Sequence, residues 1–425
     1  MKRSCNKLGN KERKNFPLIM RLEQDNCTYL DSAATAQKPK TLINAVKLFY
    51  EKDNFPVQRS IYKLAEQTNK KIENVRVKIA DFLGCQGAFH VIFTASATDS
   101  ITLVAKSIKK NRQDFGKNAV ITAAEHNSNV APWLDLTPKF FKDVKIIPFP
   151  TRGFFKAQDF FEILNFETKI LALSMDSNVV GPVWKDDFAE LKLLIKKAHE
   201  FGIFVLLDAS QAVAHSKLNL YELNADFLVF SGHKIGGPTG IGILCTKKNI
   251  AEWLHPLRLG GGNLKIYKKE NSQQEIHFTN LPQKLEAGTL PTAQIIGLGK
   301  AIEYLGFINN EENPRPEPEL CKALIDFLNQ FPEVKFLGNS EFIANNGHIV
   351  SFVVEGIHAH DIAWYLDQHK VMVRAGDHCA NLLHQQLNYA ASVRVSFFIY
   401  NNLRDVENFK QAFVATLNFF KESQK

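Results

Sequence analysis

Long apolar runs, paired cysteines and clustered basic residues are all missing from this chain, and each absence narrows what it does. No stretch reaches the roughly 18 consecutive apolar residues that a membrane-crossing helix needs, so no membrane partner is expected. The six cysteines, Cys5, Cys27, Cys85, Cys245, Cys321 and Cys379, are widely spaced and include no C-x-x-C pair. That argues against a metal site and a disulfide framework, and for a reducing compartment. Met1 to Lys14 is basic and polar but lacks the apolar region of a secretory signal, so a cytoplasmic location is expected. The net charge is +8, yet the lysines are scattered and no basic run is interleaved with aromatics. This reads as a solvated basic surface and not as a nucleic-acid interface. There is no internal repeat, and Gly297-Leu-Gly-Lys300 lacks the spacing of a phosphate-binding loop.

What is present suffices for more than one core: 45% of the 425 residues are hydrophobic, and the 33 phenylalanines read as core filling. Residues 1–20 are expected to form a disordered basic tail. Residues 21–290 are expected to form a large domain, its N-terminal segment packing toward a smaller domain over 291–425. In the large domain, apolar runs such as Ala119 to Thr122, Ile170 to Leu173, Phe204 to Leu207, Asp226 to Phe230 and Ile241 to Cys245 alternate with helical stretches. Those stretches include Leu64 to Leu83, Ser96 to Lys109 and Lys185 to Phe201. The alternation predicts an α/β fold, a mostly parallel sheet with helices on both faces. Leu257 to Leu290 shows few periodic runs and is expected to form long loops near the crevice. The proline-rich, acidic Asn309 to Pro318 is expected to be an exposed loop separating the domains. Strands at Ile349 to Val354, Val371 to Ala375 and Ser392 to Phe398, with helices near His360 to His369 and Leu403 to Phe420, predict a smaller α+β domain.

The chain is organised around Val229 to Leu244. An apolar strand ends in Ser231, His233 and Lys234, a glycine-rich turn follows, and a second apolar strand returns. A lysine amine has a pKa of about 10.4 in water and becomes a nucleophile only where it is desolvated or set beside other charge. Taken alone, the stretch permits a solvated lysine on a plain turn equally well. A partner is found in Phe204-Val-Leu-Leu-Asp208, an apolar run ending in a carboxylate where parallel sheets bind ligands. A strand-end acid with a strand-end lysine suits pyridoxal 5'-phosphate (PLP), which pairs its ring nitrogen with an acid and its aldehyde with a lysine.

Asp208-Ala-Ser-Gln211 and Ser231-Gly-His-Lys234 come in order and spacing with Tyr29-Leu-Asp-Ser-Ala-Ala34, Glu125-His126, Ser177-Asn178, Glu286-Ala-Gly-Thr289 and Arg374-Ala-Gly-Asp-His-Cys379. Together these make the chain resemble the class V aminotransferase family, and within it the group II, Suf-type cysteine desulfurases, from Tyr29 to the C-terminus. The resemblance implies a PLP-dependent transferase of fold type I that converts L-cysteine to L-alanine. It also implies a homodimer, and transfer of sulfur as a persulfide on Cys379 to a Suf-type acceptor protein for iron–sulfur cluster assembly or thiolation.

The same resemblance assigns roles. Lys234 carries the cofactor, Asp208 pairs with the ring nitrogen, Gln211 bonds the phenolic oxygen and His126 stacks on the ring. Thr98, Ser231 and His233 hold the phosphate, with a helix N-terminus supplying further donors. Thr289 is expected from the other subunit. Arg394, with Asn178, binds the substrate carboxylate, and Arg374 is expected among the substrate-binding residues. Arg374 and His378 lie close enough in sequence to favour a thiolate at Cys379. A histidine at His358 or His360 matches a place where some relatives meet their acceptor, though a solvated helix start explains it equally well. Three positions depart from the pattern: Ala97 lacks a hydroxyl, Asp377 replaces a histidine and Gly236 replaces a tyrosine. Two other readings stay open on the sequence, a selenocysteine lyase or related PLP lyase, and a catalytically impaired scaffold.

Overall fold

A computed structural model describes residues 11–57, 60–110, 116–185, 188–269, 273–309 and 315–423. Seven strands form its central sheet in the spatial order Phe89–Thr94, Gly242–Lys247, Phe227–Ser231, Phe204–Asp208, Thr168–Ser174, Asn118–Thr122, Asp143–Ile147. Every pairing is parallel except the two made by Gly242–Lys247. The exception follows from chain length: the short turn after Lys234 cannot span a parallel crossover, which needs a dozen or more residues.

Side chains alternate across this sheet, and both faces are covered. Leu228 and Phe230 join one core while Phe227 and Val229 join the other. The helix Ala97–Lys110 covers one face with Ile101, Val104 and Ile108. The helices Lys63–Phe82 and Ala189–Glu200 cover the other with Ile72, Val75, Ile79, Leu191 and Leu194. Continuous burial of this kind is why these strands read as apolar runs.

A second core surrounds an antiparallel sheet of Val334–Phe336, Ile349–Val354, Ser392–Ser396 and Arg374–Gly376. Helices Glu317–Leu328, Ala359–Gln368 and Leu403–Ser423 pack around it. Thr28–Tyr29 pairs in parallel with Val371–Met372, and Leu30 enters this core.

Three expectations need correction. Residues from 11 onward are not a disordered tail. Phe16 is fully buried in the larger core, Pro17–Gln24 is a helix with proline in its first turn, and Arg13 is ion-paired with Glu23 and Asp405. The basic residues of this segment hid its apolar anchors; residues 1–10 lie outside the described residues. The division expected at residue 291 falls later, because the helix Thr292–Ile308 packs Ile295, Leu298, Ile302 and Leu305 into the larger core. The separating loop lies partly outside the described residues, at 310–314, and the next helix starts at Glu317. Finally, the region expected to be loops holds an antiparallel hairpin, Leu264–Lys268 with Gln274–Phe278. Among the described residues, no helix is long and apolar enough to cross a membrane.

Candidate active site

The carboxyl ends of Phe204–Asp208 and Phe227–Ser231 open into a cavity of about 210 Å³. Lys234 lies in the single helical turn Gly232–Ile235 that follows the second of these strands. Burial holds its amine below the ordinary lysine value, against the pull of Asp208, with Arg394 and Arg374 adding repulsion. Asp208 lines the same cavity, and its Oδ1 accepts from Ser210 N at 3.0 Å. His126 lines it too. Its Nδ1 accepts from Ser128 N at 3.1 Å, so the neutral ring carries its proton on Nε2. Burial, then the Lys234 charge, push His126 down to about 4, and burial does the same for His233. Both rings are therefore neutral at pH 7.

At one end of the cavity the helix Ala97–Lys110 points its N-terminus inward. Thr98 Oγ1 and Ser128 Oγ lie 2.7 Å apart, and Ser231 Oγ accepts from Ala97 N at 2.9 Å. Gly242 makes this approach possible: a Cβ there would sit 2.3 Å from the Ser96 carbonyl carbon. Ser128 is a hydroxyl that sequence reasoning missed, and it stands beside the helix start where Ala97 has none. At the other end lie Arg374, Arg394 and Asn178. Arg394 is fully buried and donates to Asn178 O and Asp31 Oδ1, each at 2.9 Å. Arg394 Nε and Asn178 Oδ1 have no partner among the described residues.

Three expected site residues stand apart from this lining. Gln211 is buried one layer behind, donating from Nε2 to Ala33 O at 3.0 Å. Thr289 lines a different cavity of about 260 Å³, with Asp99, Arg258 and Glu286. Cys379 is half-buried on a loop that borders the site: its carbonyl accepts from Asn127 N at 2.7 Å, the residue after His126. His378 and Cys379 both adopt left-handed backbone, φ +54° and +56°, which for non-glycine residues costs about 1–3 kcal/mol each. The loop is held there by His378 Nε2 against Ser392 and by Asp377, whose carboxylate accepts from Cys379 N and from Asn381 Nδ2. Asp377 is thus occupied with its own loop, and it lines a groove shared with His358, His360 and His384.

Two further residues were not legible in the sequence. Asp31 completes the Arg394 site. Lys38, lowered to about 8 by burial, donates to Thr35 Oγ1 at 3.1 Å and to His233 O at 3.4 Å, bracing the backbone just before Lys234. A larger cavity of about 830 Å³ lies elsewhere, but two of its lysines are already engaged, Lys192 by Glu222 and Lys185 by the Phe154 ring.

The residues present fit PLP. A desolvated amine, a strand-end acid and a neutral imidazole share a cavity with hydroxyls at a helix N-terminus, the donor set that a phosphorylated pyridine aldehyde requires. Among the described residues nothing partners the buried Arg394 Nε and Asn178 Oδ1, which leaves both open to a polar group of a bound molecule.

Comparison with known proteins finds relatives over nearly the whole chain. The family described as aminotransferase class-V matches residues 28–409. A probable cysteine desulfurase of Borreliella burgdorferi is 34% identical over 93% of each chain, and one of Streptomyces coelicolor is 33% identical over 96% of this chain and 97% of its own. Among solved structures, an apo cysteine desulfurase of Thermococcus onnurineus aligns with TM-score 0.84 and 32% identity, over 94% of this chain and 96% of its own. The cysteine desulfurase CsdA of Escherichia coli aligns with TM-score 0.83 and 29% identity, over 97% and 98%. With its sheet, its strand-end lysine and acid, and these relatives in agreement, the chain belongs to the class-V aminotransferase family.

Proposed function

We propose that this protein is a PLP-dependent cysteine desulfurase that releases L-alanine from L-cysteine and carries the sulfur as a persulfide on Cys379. The observation that carries the reading is the hydrogen bond from Asn127 N to Cys379 O, which ties the thiol's loop to the turn bearing His126, beside Lys234 and Asp208. When bound, PLP supplies an aldehyde for the substrate amine and a protonated ring that accepts electron density from the substrate. Lys234 would attach the cofactor, and Asp208 would keep its ring nitrogen protonated. The neutral His126 would help hold the ring. Thr98, Ser128, Ser231 and the helix N-terminus would take its phosphate, joined by His233. Arg394 and Arg374 take the substrate carboxylate, with Asn178 beside them. The Cys379 thiolate forms an S–S bond with the substrate sulfur as the C–S bond breaks, and a proton taken up at the vacated carbon completes alanine.

The working unit in this reading is a cytoplasmic homodimer. Its support is the exposed apolar face of the hairpin, where Ile266 pairs with Ile276 and Leu264 with Phe278. A two-stranded hairpin is marginal alone, and a second copy supplies the missing cover. The persulfide then passes to a sulfur-acceptor protein of the Suf type.

The test is alanine release from L-cysteine, with mass spectrometry of Cys379 for one added sulfur. Cys379→Ala should abolish the adduct and the turnover while leaving cofactor uptake intact; full activity in that variant would remove the sulfur relay. Turnover of selenocysteine alone would point to the lyase reading, and a colourless protein that takes up no PLP would point to the scaffold.

A further inference from the structure

Glu125 immediately precedes His126, is 1% exposed and does not itself line the cavity. Its Oε1 accepts from Thr122 Oγ1 at 2.6 Å, and its Oε2 accepts from Asn129 Nδ2 and Ser174 Oγ, each at 2.7 Å. These partners come from three places. Thr122 ends the strand Asn118–Thr122, and Asn129 lies in the 3-10 turn Asn127–Asn129 just after His126. Ser174 ends the strand Thr168–Ser174, in register with Asp208 on the neighbouring strand. One side chain therefore joins both flanks of His126 to the strand end beside Asp208.

The polarity of the network is set from outside. Asn129 Oδ1 accepts from Trp133 Nε1 at 3.2 Å, and an indole can only donate. The Asn129 amide is thereby fixed with its NH2 toward Glu125. Thr122 Oγ1 accepts from Ala124 N at 3.2 Å and donates its own hydrogen to Glu125. All three neighbours present a hydrogen, and an acceptor-only group is what they fit. Burial opposes that charge and lifts the carboxyl to about 7, while Ser174, Thr122 and Asn129 pull it back.

We propose that Glu125 is a positioning residue of the desulfurase reaction, pinning the His126 turn to the strand end beside Asp208 so that the imidazole keeps one orientation over the cofactor. This rests on the reading above, in which His126 covers the ring. Without the pin, the ring tilts and the substrate-bound cofactor is held less well for reaction, while carboxylate binding at Arg394 is untouched.

The experiment uses the PLP-loaded enzyme and compares wild type, Glu125→Gln and the double variant Glu125→Gln/Trp133→Phe. Induced circular dichroism of the bound cofactor reports ring orientation, and alanine release gives kcat and KM. Glu125→Gln should retain PLP uptake, weaken the dichroism and lower kcat about tenfold to a hundredfold with KM little changed, the scale of a small misplacement in an active site. Removing the indole frees the Asn129 amide to turn its oxygen toward the new NH2, so the double variant should recover most of both signals. Should Glu125→Gln fail to fold, Ser174→Ala, which removes one donor, should show the same pattern more weakly. Wild-type dichroism and kcat in Glu125→Gln would overturn the proposal. So would losses that the double variant leaves in place, since a purely structural defect has no reason to be relieved by losing a second buried side chain. If wild type itself released no alanine, the desulfurase reading would fail, and the dichroism series would still decide the role of Glu125.

Discussion

The Arg394 guanidinium donates from Nη2 to Asp31 Oδ1 at 2.9 Å, joining residues 363 positions apart. Arg394 is 1% exposed, so its buried charge relies on Asp31. Asp31→Asn is expected to lower the stability of the cofactor-free protein by about 1–3 kcal/mol, read by chemical denaturation. Arg394→Lys keeps the charge but loses the planar fork, and should raise KM for L-cysteine about tenfold or more with a smaller change in kcat. An unchanged KM would take Arg394 out of the substrate site.

Lys234 is expected to be the covalent anchor of the cofactor. Borohydride treatment of the wild type should add the mass of reduced PLP to one peptide containing Lys234. Lys234→Ala should show no such adduct and no activity, with thermal stability of the cofactor-free protein kept or raised, because a desolvated amine has been removed. An adduct on another lysine, Lys38 included, would contradict this assignment.

Asp176 makes a separate test of burial. It is 5% exposed, its Oδ2 has no partner among the described residues, and burial raises its carboxyl to about 7. In the unfolded chain the same group titrates near 3.9. Between about pH 4 and pH 7 the folded state therefore holds a proton that the unfolded state has lost, and stability from this group falls as pH rises through that window. His126 and His233 act with the opposite sign. Their folded values of about 4 lie below the unfolded value near 6.5, so stability from them is lost as pH falls through that interval. Asp176→Asn removes only the carboxyl contribution. The difference in Tm, variant minus wild type, should grow as pH rises through the window and then level off; a pH-independent difference would refute the shift.

The hairpin is expected to hold two subunits together. Ile266 is 64% exposed and Ile276 48%, and they face each other across the two strands. Ile266→Glu/Ile276→Glu should shift the protein toward monomer in sedimentation velocity without altering its far-ultraviolet dichroism. A wild type that sediments as a monomer, or a variant that remains a dimer, would remove this face from the interface.

Much of the large unit was legible because its strands are buried on both faces, which forces continuous apolar runs such as Phe204 to Leu207. The hairpin was not, because strands exposed on both faces carry no such run: Lys265, Tyr267 and Lys268 interrupt it. Residues 11–20 were misread for a related reason. Their basic character dominates locally, while Phe16 finds its aromatic partners, Tyr304, Phe398 and Tyr400, hundreds of positions away.

By itself the sequence determined that a lysine and an aspartate each follow an apolar run, a local fact written by strand periodicity and by short polar clusters at strand ends. The histidine, the arginine and the cysteine were legible only through the resemblance of their motifs to a family. Only the tertiary structure decided that Ser128 stands beside Thr98, that Asp31 compensates Arg394, and that Asp377 is taken up by its own loop. The physical reason is that such pairings depend on strand order and on the packing of one core against another, which no local pattern of residues encodes.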